Sequence, residues 1–405
     1  MRNNTGSNLF SIGLGFMLLL SVGWIGCRSN RIYSGGADKL NPSSANIVSE
    51  SKTIKEESVG AGGSEIPWAI FPQIKSAAFS DMNTAWFVTY RDGDVLRTED
   101  GGRSWNKVPL EAYDKSNQTR MSQISFIDSQ RGWAVSMKGR VWQTINGGRE
   151  WVEIASLQSN DPDWDGVTSL EQIKFTDELH GWIIETFSIW RTTNGGKDWD
   201  MVFSKSDSRM KGQPVRGFFP DGHKAWICGT EGEVYRTTDE GQTWDVQTMG
   251  KVKCSDIFFI DENTGWLSRD AAGQFYRTHD GGKTWQIQPE FDKKNTYIES
   301  VWFLSKKEGW AVARQLLEGS SIFMSQNVER NLTRGILLHT LDGGKTWQTV
   351  DIGTREPFFH RIYFADAQHG WLFSRDNTYR TDDGGKSWST VLKLPPIADT
   401  KSVSD

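Results

Sequence analysis

The chain has 405 residues, of which 24% are charged and 37% hydrophobic, with a formal net charge of -5. That is an ordinary globular composition with room for an extensive core, and its acid excess argues against nucleic acid as an obligate partner, because phosphate binding needs a concentrated basic surface. Twenty tryptophans and 41 glycines point to an all-β chain rich in aromatic-packed turns.

Residues 1–27, "MRNNTGSNLFSIGLGFMLLLSVGWIGC", place an Arg ahead of an apolar run that ends at Gly26 and Cys27. This reads as a secretory signal of the lipoprotein type, with Cys27 the lipid acceptor. Trp24 departs from the Leu usual there, and plain cleavage or a retained anchor are the alternatives. Each of the three places the bulk of the chain outside the cytoplasm, as a membrane-associated protein facing periplasm, lumen or exterior. Residues 28–65 are polar, lack core spacing and read as a flexible linker.

From residue 66 to 394 one unit repeats. Its most visible part is a box: "TEDGGRSW", "TINGGREW", "TTNGGKDW", "TTDEGQTW", "THDGGKTW", "TLDGGKTW" and "TDDGGKSW". Each unit also has a Trp after Gly or Ala (Trp86, Trp133, Trp182, Trp226, Trp266, Trp310, Trp371), and a Phe seven residues earlier (Phe79, Phe126, Phe175, Phe219, Phe259, Phe303, Phe364). Two residues after the Phe stands Asp, with Ser305 the exception. A unit such as "DIFFI", "GWLSR", "QFYRT", "TWQIQ" makes four short strands separated by turns, and a recurring unit of this kind cannot bury its apolar face alone. Seven four-stranded antiparallel sheets imply a seven-bladed β-propeller, with "EIPWAIFP" (65–72) and "SWSTVLKLP" competing to fasten the ring. A polar tail, 395–405, follows.

Within the box, Asp100, Asn146, Asn194, Asp239, Asp280, Asp342 and Asp383 are expected to accept backbone N–H bonds of their own turn, and the following Gly admits positive φ. Trp105, Trp151, Trp199, Trp244, Trp285, Trp347 and Trp388 are expected to cover the hairpin. Every residue type has a structural task. The cation before the box Thr (Arg97, Arg191, Arg236, Arg277, Arg380, with Gln143 and His339 elsewhere) is expected to bond or stack with a neighbouring blade. This pattern resembles the bacterial neuraminidase repeat, and the added "F-x-D-x-x-x-G-W" half looks most like the photosystem II stability and assembly factor family. The resemblance implies a protein-binding scaffold, at a photosynthetic membrane if function follows fold, with no cofactor.

Box loops keep a fixed length, whereas loops on the other face vary, and irregular loops on a regular scaffold are where binding usually lives. Near the inner-strand starts on that face stand Arg120, Arg216, His360 and Arg361, a patch at the channel mouth suited to an acidic partner or a carboxylate. Three unrelated surface arginines are the competing reading. Cys228 and Cys254 read as small buried thiols, with a disulfide the alternative in an exported chain. "DPDWDG", Asp161–Gly166, starts like a calcium loop but has Gln172 where a bidentate Glu belongs, so no metal is assigned. The catalytic alternative is a secreted glycoside hydrolase of sialidase-like or glucanase-like type. Residues 33–90 contain no Arg, although the sialidase resemblance implies one ahead of the first box, and no nucleophile or metal cluster stands at diagnostic spacing.

Overall fold

The computed structural model describes residues 53–55, 74–89, 93–108, 120–158, 169–271, 274–288, 295–317, 333–375 and 377–393. Here the chain forms seven antiparallel sheets, each of four strands consecutive in sequence. The blades span 74–108, 121–156, 170–204, 214–248, 254–287, 296–350 and 359–393. The first strands of successive blades pack side by side and form the inner wall of a ring. The first five residues of each second strand are buried, as in Ala85–Thr89 and Gly181–Glu185, while fourth strands such as Asp245–Thr248 are half-buried to exposed.

One aromatic device joins blade to blade. The Trp of each second strand lies against the Phe of the next blade: Trp86 on Phe126, Trp133 on Phe175 and Trp266 on Phe303 stack with centroids 3.5, 3.8 and 3.5 Å apart. That Phe lies above the Gly preceding its own blade's Trp; a Cβ at Gly265 would meet the Phe259 ring at 2.5 Å. The box Trp completes the interface edge-on, as Trp347 does against Phe303 at 73°. Such buried aromatic contact supplies the main stabilisation between blades.

The same device closes the circle. Trp371 of blade 7 packs on Phe79 of blade 1 at 5.4 Å, Tyr363 stacks on Phe79 at 4.2 Å, and Arg380 Nη1 donates to the Gly101 carbonyl at 2.9 Å. Ser389–Lys393 is the fourth strand of blade 7 itself, and 65–72 lies outside the described residues. Among the described residues, blades 7 and 1 therefore meet by packing without exchanging a strand. One added strand does occur: Thr53–Lys55, within the stretch read as linker, runs antiparallel along the outer edge of blade 2, Thr53 opposite Val152 and Lys55 opposite Glu150.

The cysteines correct the thiol reading. Cys228, in the second strand of blade 4, and Cys254, opening the inner strand of blade 5, form a disulfide with Cα atoms 5.8 Å apart. Their juxtaposition is a product of blade stacking, which brings two strands of different sheets within bridging reach.

Candidate functional site: the channel mouth

The two faces of the ring differ in what their polar groups have left to offer. On the box face, Asp280 Oδ1 accepts from the Thr284 N–H at 2.9 Å and from the Thr278 hydroxyl at 2.8 Å, and Oδ2 takes the Thr284 hydroxyl at 2.6 Å. Thr278 Oγ1 in turn accepts from the Gly282 N–H at 2.9 Å. The carboxyl of Asp280 is thereby held at about 2, chiefly by the Thr284 hydroxyl. The Asx bond to the residue four places on recurs at Asp100, Asn146, Asn194, Asp239, Asp342 and Asp383. Gly281 and Gly282 adopt φ of 73° and 83°, open to glycine without strain. Blade 4 has Glu240 in the first of these places at φ 67°, and its carboxylate pairs with Arg191 and His223.

The first box glycine also serves the neighbouring blade. Its carbonyl accepts the indole N–H of the preceding blade's Trp at Gly147, Gly195, Gly281 and Gly343. The recurrent cation lies opposite that Trp in the strand ladder, with Arg277 over Trp266 at 5.2 Å and Arg380 over Trp371 at 5.8 Å. The Asp after the Phe caps its own loop in the same manner, Asp261 taking the N–H groups of Asn263 and Thr264; Ser305 does so through its hydroxyl. Box polar groups thus bond to one another and to the adjoining blade.

On the other face, every inner strand carries a β-bulge near its start, so one extra residue per blade is re-aimed there. Those residues include Lys75, Glu171, Glu299 and His360. One place further along stand Ser76, Gln123, Gln172, Arg216, Asp256, Ser300 and Arg361. Several of these bond to the next blade's inner strand: Ser76 Oγ accepts from Ile124 N at 3.2 Å, Gln172 Oε1 from Gly217 N at 2.9 Å, and Asp256 Oδ2 from Val301 N at 3.0 Å. Arg216 and Arg361 have only donors and so cannot accept from the next blade's backbone N–H as these three residues do. They are departures from the architectural pattern.

Their electrostatics set them apart as well. Arg216 is pulled down to about 10, first by burial and then by the nearby Arg361, against the pull of Asp256, Glu171 and Glu299. Arg361 Nη1 reaches Asp256 Oδ1 at 3.5 Å, two blades away. His360 is held at about 3 by burial, Arg361 and Arg216, and is therefore neutral at physiological pH. Burial raises Glu299 above the usual carboxylate range, against the pull of Arg314. Burial also lowers the ammonium of Lys75, with Glu171 opposing and Arg120 adding to the shift. Lys174, on the inner strand of blade 3, is solvent-exposed yet enclosed enough for burial to lower its ammonium.

The structure thus brings Arg216, His360 and Arg361 together, while Arg120 acts on Lys75 instead. Sequence reading missed the interleaved Lys75, Glu171, Lys174, Asp256 and Glu299. The signal was there: in the repeats aligned on the Phe, the columns one, three and four places before it hold these residues. Around the channel five cations face three carboxylates in a chain that is net acidic. Such a setting favours an anionic guest. Among the described residues no group of three His, Cys, Asp or Glu could hold a metal ion, and Asp161–Gly166 and Cys27 lie outside them.

Comparison with known proteins agrees with the repeat reading. Residues 116–255 match the family model for the photosynthesis system II assembly factor YCF48. A segment of 44 residues is 39% identical to the photosystem II assembly lipoprotein Ycf48 of Picosynechococcus sp., covering 11% of this chain and 13% of that protein. Among solved structures, YCF48 bound to a D1 peptide has a TM-score of 0.55 at 18% identity, over 86% of this chain and 96% of that one. YCF48 from Cyanidioschyzon merolae gives 0.56 at 18%, over 79% and 97%. A GH74 xyloglucanase from Xanthomonas campestris gives 0.62 at 13%, over 85% and 56%. At these identities the structural likeness shows the fold. By its repeat and its family match, the chain is a seven-bladed Asp-box propeller similar to the photosynthesis system II assembly factor YCF48 family.

Proposed function

We propose that the protein is an exported, membrane-tethered scaffold that binds another protein at the channel mouth through a carboxylate of that partner. The observation that carries this reading is the pair Arg216 and Arg361, placed where other blades use Ser, Gln or Asp to bond to their neighbour. Burial and Arg361 both disfavour the charge of Arg216, against Asp256, Glu171 and Glu299; an incoming anion relieves it, and Arg matches a carboxylate through paired donors. The family match supports a membrane complex of the photosystem II type as the setting, with lipid on Cys27 as the tether. Arg120, beside Lys75 on the inner wall, is the further cation of that face.

The test is capture from solubilised membranes of the source organism. Wild type is expected to recover membrane proteins, and the triple variant Arg120→Glu, Arg216→Glu, Arg361→Glu to recover at least tenfold less. Equal recovery by the folded variant rejects the site.

The second reading, a glycoside hydrolase, has the xyloglucanase likeness and the channel carboxylates Glu171, Asp256 and Glu299 in its favour. Turnover of sialosides or β-glucans that a single carboxylate substitution abolishes would establish the enzyme.

A further inference from the structure

On the box face, two seams between blades are closed by the same ion pair. The residue five places after the Phe of one blade reaches the residue three places after the Phe of the next: Arg131 pairs with Glu178 between blades 2 and 3, and Lys224 with Glu262 between blades 4 and 5. The seam between blades 3 and 4 departs from this. There the first place holds His180 and the second Gly222, which lies so close that a Cβ on it would meet the His180 ring at 2.6 Å. His223, the next residue, sets its ring beside His180, with centroids 5.9 Å apart and planes at 42°. Each imidazole is held at Nδ1 by a carboxylate, His180 by Asp177 Oδ2 at 2.9 Å and His223 by Glu240 Oε1 at 2.6 Å. A carboxylate only accepts, so Nδ1 carries the proton and Nε2 keeps its lone pair. Neither Nε2 has a hydrogen bond or ion pair among the described residues. Glu240 holds its imidazole from a backbone φ of 67°, where the other six boxes have Gly, and Arg191 takes its second oxygen. A strained residue kept at a polar site points to a task for its side chain.

We propose that His180 and His223 together bind a divalent transition metal of the zinc and copper class through their Nε2 atoms, with water completing the coordination. Imidazole suits these metals, whereas magnesium and calcium take oxygen ligands. Histidines that ligate a metal characteristically give their other nitrogen to a carboxylate, which fixes the ring and raises its basicity; Asp177 and Glu240 do this here. The separation agrees. A metal about 2.1 Å from each Nε2 at a tetrahedral angle sets the ring centroids about 5 Å apart, within about 1 Å of the spacing found. Two protein ligands are consistent with the lack of any three-residue His, Cys, Asp or Glu cluster among the described residues. The bound metal joins blade 3 to blade 4 in place of the ion pair used at the seams on either side. His369, held by Asp366 in the same manner on blade 7, has no second imidazole beside it among the described residues and is the natural control.

Calorimetric titration of the untagged full chain with zinc tests it, with electron paramagnetic resonance of the copper(II) form as a second readout. One zinc equivalent is expected to bind with a dissociation constant on the order of 10 μM, and copper to show coupling to a pair of imidazole nitrogens. His180→Gln and His223→Gln should each weaken zinc at least tenfold and leave a single coupled nitrogen, while His369→Gln should change neither readout. Glu240→Gly restores the glycine of the other boxes; it should weaken zinc about tenfold yet, without metal, melt within about 2 °C of wild type. No binding tighter than about 1 mM overturns the proposal. So does binding that survives both histidine substitutions, which places the metal elsewhere. Loss on one histidine substitution alone overturns the shared site, and normal binding by Glu240→Gly overturns the part assigned to its carboxylate.

Discussion

The box face and the channel mouth are built from the same seven units, yet they treat variation in opposite ways. At the box, Thr and Asp or Asn recur because they bond within their own turn, Trp recurs because its ring packs on the Phe of its own blade, and a substitution is repaired locally. Glu240, standing where the other boxes have Gly, is tied down by Arg191 and His223. At the mouth, the residue that accepts from the next blade's backbone is replaced in two places by arginines, whose charges face the carboxylates Asp256, Glu171 and Glu299. On the reading proposed above, the uniform positions serve the fold and the variable, charged positions serve binding.

If that division is right, the largest losses of stability follow changes at the uniform positions. Trp266→Ala removes the stack on Phe303 and the bond to the Gly343 carbonyl, and should lower stability by about 3–5 kcal/mol in urea denaturation. Replacing both Cys228 and Cys254 with Ala frees a loop of 26 residues' separation and should cost about 3 kcal/mol, matched by the wild type under reductant. Asp280→Ala leaves the Thr284 N–H and hydroxyl to water and should cost about 1 kcal/mol.

Acidification separates the two regions by pH. Asp280 and Asp383 are held at about 2, below the ordinary 3.8, so their stabilisation is complete above pH 4 and is lost as pH falls towards 2. His360, held at about 3 against an ordinary 6.5, acts earlier: the unfolded chain takes up its proton first, and stability falls from about pH 6.5 down to 3. His360→Gln should flatten that upper limb while leaving the lower one. Urea midpoints between pH 7 and pH 2 report both.

Much of this was legible in the chain. Constant Phe–Trp and Thr–Trp spacings gave seven blades and the box turns, because those features are local hydrogen bonds and strand alternation. The spacing does not disclose what the box Thr does: its hydroxyl ties Asp280 to Gly282 at the centre of the turn. The disulfide, the stack closing blade 7 on blade 1 and the strand Thr53–Lys55 on blade 2 join residues that only the ring brings together. Arg216, His360 and Arg361 were found by position, but the acids among them were not, since Asp256 and Glu299 acquire meaning only when the inner strands are laid side by side.

One crossed measurement tests the division most directly: melting temperature and partner capture, compared for Asp280→Ala and for the double variant Arg216→Glu, Arg361→Glu. The account predicts that the box variant melts a few degrees lower and captures normally while folded, and that the arginine variant melts within about 2 °C of wild type and captures at least tenfold less. A folded box variant that fails to capture, or an arginine variant that captures fully, would contradict it.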